Sequence, residues 1–267
     1  MSAPPSNKES SFKAVRVEVS KLRKSFDGTP VIKGIDFHVE RGEVFVIMGP
    51  SGSGKSVLLK HIIGLETPDE GDILIEGESI HNPAVMEKYR MAMVFQSGAL
   101  LSSLSVIENV GLYLREHRLK KNAEIDRIAV EKLEFLGLKD VQGRQPSELS
   151  GGMKKRVAIA RALVIDPQLI LYDEPTSELD PLMSVVIGQE ILSLKNRTAV
   201  TSIVVTHDRD LAFGVADRIA MVSDGTIRAI GTPDEIRHHP DAMVQKFLNI
   251  NFKSNSNPPA ASNPVEP

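Results

Sequence analysis

Gly49-Pro50-Ser51-Gly52-Ser53-Gly54-Lys55-Ser56 fits the pattern G-x-x-x-x-G-K-[ST]. Glycines in such a loop let successive backbone N–H groups wrap phosphate oxygens, Lys55 reaches the β and γ oxygens, and Ser56 offers its hydroxyl to Mg²⁺. A second constellation is Asp173-Glu174, two adjacent carboxylates directly after the apolar run Leu169 to Tyr172. If that run is a buried strand, the pair lies at its C-terminal end, the edge where open α/β sheets bind ligands. Neighbouring side chains there diverge. Asp173 is then placed to orient Mg²⁺ through water, and Glu174 to polarise a water against a terminal phosphate.

The elements that must hold these groups are legible around them. Val44 to Met48 is continuously apolar, as in a parallel strand covered on both faces. It leads into the glycine loop and then into Val57 to Ile63, closed by Gly64, which predicts a strand, a loop and a helix whose positive N-terminal end lies near Lys55. Val15, Val17 and Val19 alternate with polar residues, as do Ile35, Phe37 and Val39, so the chain begins with half-buried strands. From Ser97 to Ser150 the spacing becomes helical, with Ile125, Ile128, Ala129, Leu133 and Leu136 before Gly137. A helix is expected over Met153 to Leu163, then strands at Leu169 to Tyr172 and Ser202 to Thr206, and this alternation implies a mainly parallel sheet. Asp224-Gly225 between two apolar runs reads as a hairpin, Thr232 to Glu235 as a capping box, and Ala242 to Leu248 as a last helix.

Leu149-Ser150-Gly151-Gly152 precedes the expected helix at Met153, so Ser150 can cap it and the glycines let backbone approach an anion. Taken in order, residues 49 to 56, Gln96, Leu149 to Gly152, Asp173-Glu174, Ser177-Glu178-Leu179-Asp180 and His207 resemble the ATPase subunit of an ABC transporter, over about residues 13 to 248. The resemblance implies an α/β P-loop NTPase fold with a RecA-like, mainly parallel sheet, an N-terminal antiparallel β subdomain and an α-helical insertion. It divides the chain into a nucleotide-binding core (13–96 and 163–250) and a helical subdomain (97–162), between disordered ends at 1–12 and 251–267.

The same resemblance implies ATP and Mg²⁺ as ligands and a head-to-tail dimer, in which the phosphate loop of one subunit and Ser150-Gly151-Gly152 of the other enclose each ATP. It makes Gln96 the residue contacting Mg²⁺ or the attacking water, His207 the residue at the γ-phosphate, and Asp180 the link between the two sites. Phe26, ahead of Gly49, matches the position where an aromatic stacks on adenine. The bland alternatives are a solvent-facing Gln, a strand-end His and a core Phe. Glu178 stands where many relatives carry Gly or Ala, bringing an extra negative charge close to the dimer seam.

Phe95 to Val110, with Leu114-Arg115-Glu116-His117, contains a small and apolar run directly after Gln96. Such a run is either a socket for another chain's helix or local packing of the insertion. Its wording resembles the Mla-type ATPases of bacterial lipid traffic, which work with permeases and MCE-domain lipid-binding proteins, and their chloroplast relatives. That resemblance implies a phospholipid or lipid transporter, docked to its membrane permease through about residues 96–117 and peripheral on the cytoplasmic face of the inner membrane. Other readings are the ATPase of a lipoprotein or amino-acid system, or a non-transport ABC ATPase; the double cassettes and long coiled coils of the last class are missing.

Composition narrows the field further. With 32 Lys plus Arg against 35 Asp plus Glu in 267 residues, no cationic excess exists to grip nucleic acid. No cysteine is present, so disulfides and thiolate metal sites are excluded. The longest apolar runs are far shorter than the roughly 20 residues of a membrane span, and residues 1–11 lack the apolar core of a signal peptide.

Overall fold

The computed structural model describes residues 14–249, so the expectations for 1–12 and 251–267 lie outside the described residues. Two antiparallel strands open the chain, β1 (Val17–Phe26) and β2 (Thr29–Val39). Then come β3 (Val44–Met48) and α1 (Lys55–Ile62), followed by β4 (Glu70–Ile75), β5 (Glu78–Ser79), α2 (Pro83–Lys88) and β6 (Met91–Val94). Helices α3 (Val106–Glu116), α4 (Asn122–Phe135) and α5 (Gly151–Leu163) make up the insertion, with a 3-10 turn at Pro146–Glu148. The chain returns through β7 (Leu169–Asp173), α6 (Pro181–Thr198), β8 (Thr201–Thr206) and α7 (Arg209–Val215). It closes with β9 (Arg218–Ser223), β10 (Thr226–Gly231), α8 (Pro233–Arg237) and α9 (Ala242–Leu248).

Six strands form the central sheet in the order β10-β9-β3-β8-β7-β6, parallel except for the β9–β10 hairpin. That hairpin turns at Asp224-Gly225, both at positive φ (51° and 75°), the twist a two-residue turn needs between antiparallel strands. A second, antiparallel sheet runs β2-β1-β4-β5.

The central strands are buried on both faces, and their alternation divides the interior into two cores. Val44, Val46 and Met48 of β3, with Ile170 and Tyr172 of β7, face the layer of helices α3 to α9. Phe45 and Ile47, with Leu169 and Leu171, face α1 and the antiparallel sheet. Continuous apolar runs are what such two-sided burial requires. Truncating any of these Leu or Ile side chains to Ala would cost about 2–5 kcal/mol.

The insertion departs from expectation at its start. Helix begins at Val106 rather than Ser97, under a capping box formed by Ser105 and Glu108. The segment from Gln96 to Ser105 is instead an irregular loop whose backbone is held by two polar side chains, half-buried Arg161 and buried Asn109. Arg161 on α5 donates to the Gly98 and Ala99 carbonyls, each at 2.7 Å. The Asn109 amide donates to Leu101, Leu104 and Ser105 carbonyls and accepts from the Leu101 N–H at 2.8 Å. Helix α5 itself begins two residues before Met153, with Ser150 as N-cap accepting from the Met153 N–H at 3.3 Å.

Candidate functional site

Strands β3, β7 and β8 end side by side, so the groups that follow them collect along one edge of the sheet. After β3 the loop 49–56 turns back over the sheet against the β9–β10 hairpin. A Cβ at Gly49 would stand 2.0 Å from the Val222 carbonyl oxygen, so only glycine fits there. Pro50, Ser51 and Gly52 are exposed, while Ser53 and Lys55 are buried. Lys55 curls inward, its Nζ donating to the Gly49 and Pro50 carbonyls at 2.9 Å each. Burial pushes its pKa down, opposed by the nearby Glu174 and Asp173 carboxylates.

Asp173 and Glu174 diverge as their neighbouring positions demand. Asp173 is buried and accepts from the Ser56 hydroxyl at 2.7 Å. Desolvation raises its pKa above the usual carboxylate value, the Ser56 bond partly offsetting this. Glu174, just past the strand at φ 47°, turns the other way. Its Oε2 lies 2.9 Å from His207 Nδ1 and accepts from the His207 N–H and the Thr206 hydroxyl at 3.3 Å. His207, at the end of β8, is exposed, so a carboxylate and an imidazole form a pair open to solvent at the sheet edge.

Gln96 follows β6 and is exposed. Ser150 and Gly151 are also exposed and Gly152 is buried. Asp180 is the N-cap of α6, accepting from the Met183 N–H at 3.0 Å. Phe26 ends β1 at the tip of the first hairpin and is 39% exposed, with Lys24 Nζ 5.2 Å from its ring centroid, so it is not a core residue. Within the same hairpin, β2 touches the phosphate loop, the Val31 carbonyl lying 3.2 Å from a Cβ built on Gly54. The structure thus brings residues 49–56, Asp173, Glu174 and His207 into one cluster. Ser150 and Asp180 present their exposed side chains on other loops.

Sequence spacing does not single out Lys155, a buried lysine on α5 whose Nζ donates to the Gln96 carbonyl and, at 3.2 Å, to the Ser177 hydroxyl. A lysine on a helix reads as solvated; the available signal was its place among Gly152, Val157, Ala158 and Ile159 on the buried side of α5.

The residues suit a magnesium nucleotide. The Ser53 hydroxyl is buried inside the glycine loop with no partner among the described residues, a polar group that a phosphate oxygen would satisfy. Ser56 and Asp173 bring two hard oxygen donors together. No cluster of three or more His, Cys, Asp or Glu suited to a metal exists among the described residues.

The ABC transporter family model matches residues 32–177, spanning the phosphate loop, the Ser150 segment and the paired carboxylates. The chain is a member of the ABC transporter family. As an ABC cassette it binds and hydrolyses ATP. It is similar to the probable ribonucleotide transport ATP-binding protein mkl of Mycobacterium leprae, 39% identical over 88% of this chain and 69% of that one. It is also similar to the sn-glycerol-3-phosphate import ATP-binding protein UgpC 1 of Rhizobium johnstonii, 40% identical over 87% of this chain and 62% of that one. The cassette therefore spans about two thirds of the length of these relatives. Among solved structures, a dimeric cassette in a post-hydrolysis state with ADP and Pi superposes with a TM-score of 0.74 at 32% identity, covering 81% of this chain and 98% of that one. A nucleotide-free cassette from an ABC transporter gives 0.78 at 29% identity, covering 88% and 98%.

The ABC cassette has no helix among its described residues long and apolar enough to cross a membrane. Cassettes of this family work as dimers with membrane permeases. Beside residues 96–117 lies a cavity of about 460 Å³ lined by Met91, Met93, Phe95, Ala99, Tyr113 and His117, among others. Tyr113 is 44% exposed and stacks on His117 with centroids 4.0 Å apart. Arg115 points inward to Asp126 and the Ile107 and Glu108 carbonyls, so only part of Leu-Arg-Glu-His faces that cavity.

Proposed function

We propose that this cassette hydrolyses ATP as one half of a head-to-tail homodimer and drives phospholipid or lipid transport through a separate membrane permease, in company with an MCE-domain lipid-binding protein. The observation that carries the catalytic half is the Glu174–His207 pair, 2.9 Å apart at the sheet edge that also holds Lys55 and Ser56. Lys55 and the loop 49–54 hold the phosphates. Glu174 takes the proton of the attacking water, and His207 fixes the carboxylate and faces the terminal phosphate. Ser56 and Asp173 would hold Mg²⁺, with Gln96 reaching it or the water; bound there, the ion would supply charge neutralisation at the phosphate oxygens. Phe26 stacks on adenine, Ser150-Gly151-Gly152 closes over the partner's nucleotide, and Asp180 joins the two sites.

The lipid cargo is supported by the wording of residues 97–117 and by the apolar cavity beside them, which suits a permease helix. Its location follows from that partner: the cytoplasmic face of the inner membrane. A second reading, import of a polar solute, is favoured by the names of relatives at 36–40% identity, which specify ribonucleotide, spermidine/putrescine and glycerol-3-phosphate transport. The test is reconstitution of the cassette with its permease in phospholipid vesicles. Wild type should turn over ATP and move phospholipid, while Glu174→Gln should bind ATP, hydrolyse it at least about a hundredfold more slowly and move none. Near-normal turnover in Glu174→Gln removes the catalytic assignment, and uptake of a polar solute with no lipid movement establishes the second reading.

A further inference from the structure

Lys155 is 6% exposed, yet its ammonium forms no ion pair among the described residues. A buried cation needs acceptors to offset its lost hydration. Those it finds belong to two separate segments: the main-chain carbonyl of Gln96 after β6, and the Ser177 hydroxyl in the loop between β7 and α6. Burial lowers its proton affinity, and the Glu178, Asp173 and Glu174 carboxylates oppose that fall.

The bond to Gln96 is to backbone, so it fixes where the residue sits while leaving the Gln96 amide free. Ser177 stands three residues before Asp180, so the second bond sets the start of the loop that carries Asp180. Both anchors converge on a side chain of α5, whose first turn bears Ser150 at its cap. The ammonium is buried beneath these loops, so its effect on the reaction is exerted through the segments it holds.

We propose that Lys155 is a positioning residue for ATP hydrolysis, holding the Gln96 backbone and the Ser177–Asp180 loop in a single register so that both reach the nucleotide together. The proposal rests on the role given to Gln96 above.

The experiment is a steady-state ATPase assay on the full-length cassette with its permease, alongside Mg²⁺-free ATP binding and thermal melting. Lys155→Met keeps most of the length of the side chain and removes its charge. It should lower kcat about tenfold or more, while ATP affinity stays within about twofold, and Lys155→Arg should recover most of the loss. Gln96→Ala should lower kcat by itself. Adding Lys155→Met to Gln96→Ala should then lower it by less than about threefold more, because residues acting through one another do not add. If Gln96→Ala leaves kcat unchanged, the role of Gln96 fails and the proposal with it. If Gln96→Ala lowers kcat but Lys155→Met does not, or if the two losses multiply, Lys155 alone is wrongly assigned. Should Lys155→Met not fold, Ser177→Ala removes only the loop acceptor; a fall in kcat with unchanged ATP affinity supports the proposal, and an unchanged kcat overturns it.

Discussion

His61, on α1 just behind the phosphate loop, is fully buried, with Nδ1 2.7 Å from the Val57 carbonyl. Burial holds its pKa below the ordinary 6.5, the Val57 bond acting in the opposite direction. The unfolded chain therefore binds this proton more readily than the folded one. Its contribution to stability is intact above pH 6.5 and is lost as pH falls through the lowered folded value. Urea unfolding at roughly pH 7.5 and 5.5 should show wild type losing more stability on acidification than His61→Leu; equal losses would mean that His61 does not titrate on unfolding. At this scale the sequence exposes a residue when its type is unusual for its chemistry. Lys55 and Glu174 stand out because their motifs admit few alternatives, whereas Lys155 and His61 look like ordinary helix residues until burial removes their water.

The irregular segment between β6 and α3 shows what elements reveal and conceal. Strands β3 and β7, helix α5 and the β9–β10 hairpin are legible because two-sided burial, capping and turn chemistry each leave a local mark. Elements β4, β5, α2 and β6 are not: at two to six residues they are too short for a period to repeat, and β1 and β7, which pair with β4 and β6, lie far along the chain. The start of α3 was readable from Ser105 and Glu108, but the apolar residues at 97–104 mimic helix content while lying in a loop. Within that loop Leu101 is 46% exposed and Ala99 is exposed at φ 46°. Aspartate tolerates the left-handed region, so Ala99→Asp adds charge without much backbone cost. An unpaired charge buried in an apolar contact costs several kcal/mol. Ala99→Asp and Leu101→Asp should therefore remain folded and bind ATP but fail to co-purify with the permease or support lipid transfer. Normal co-purification and transfer would place the socket elsewhere, and aggregation would show these side chains to be structural.

For the molecule as a whole, Ser150 and Gly151 are exposed, on a different loop from the Lys55 cluster. If Ser150 serves the partner's nucleotide, a mixed dimer of one Lys55→Ala and one Ser150→Arg subunit has one site free of both changes and one site carrying both. It should trap nucleotide measurably, while neither homodimer does; trapping no better than in the homodimers would argue against a shared site. Sequence motifs mark both halves of such a site, but the pairing of surfaces is a property of two chains and leaves no periodic trace in one.

The alternation along β3 and β7 has a thermodynamic consequence. Val44, Val46 and Met48 belong to one core and Phe45 and Ile47 to the other, so five consecutive residues bind both layers. Melting the helical layer would strip one face of the central sheet, and melting the antiparallel layer would strip the other. Each exposed Val, Ile or Phe forfeits about 1.5–3 kcal/mol of burial, which penalises any half-melted form. The two layers are thereby coupled in cooperativity, and a nucleotide held at the shared strand ends lends its binding free energy to both of them at once.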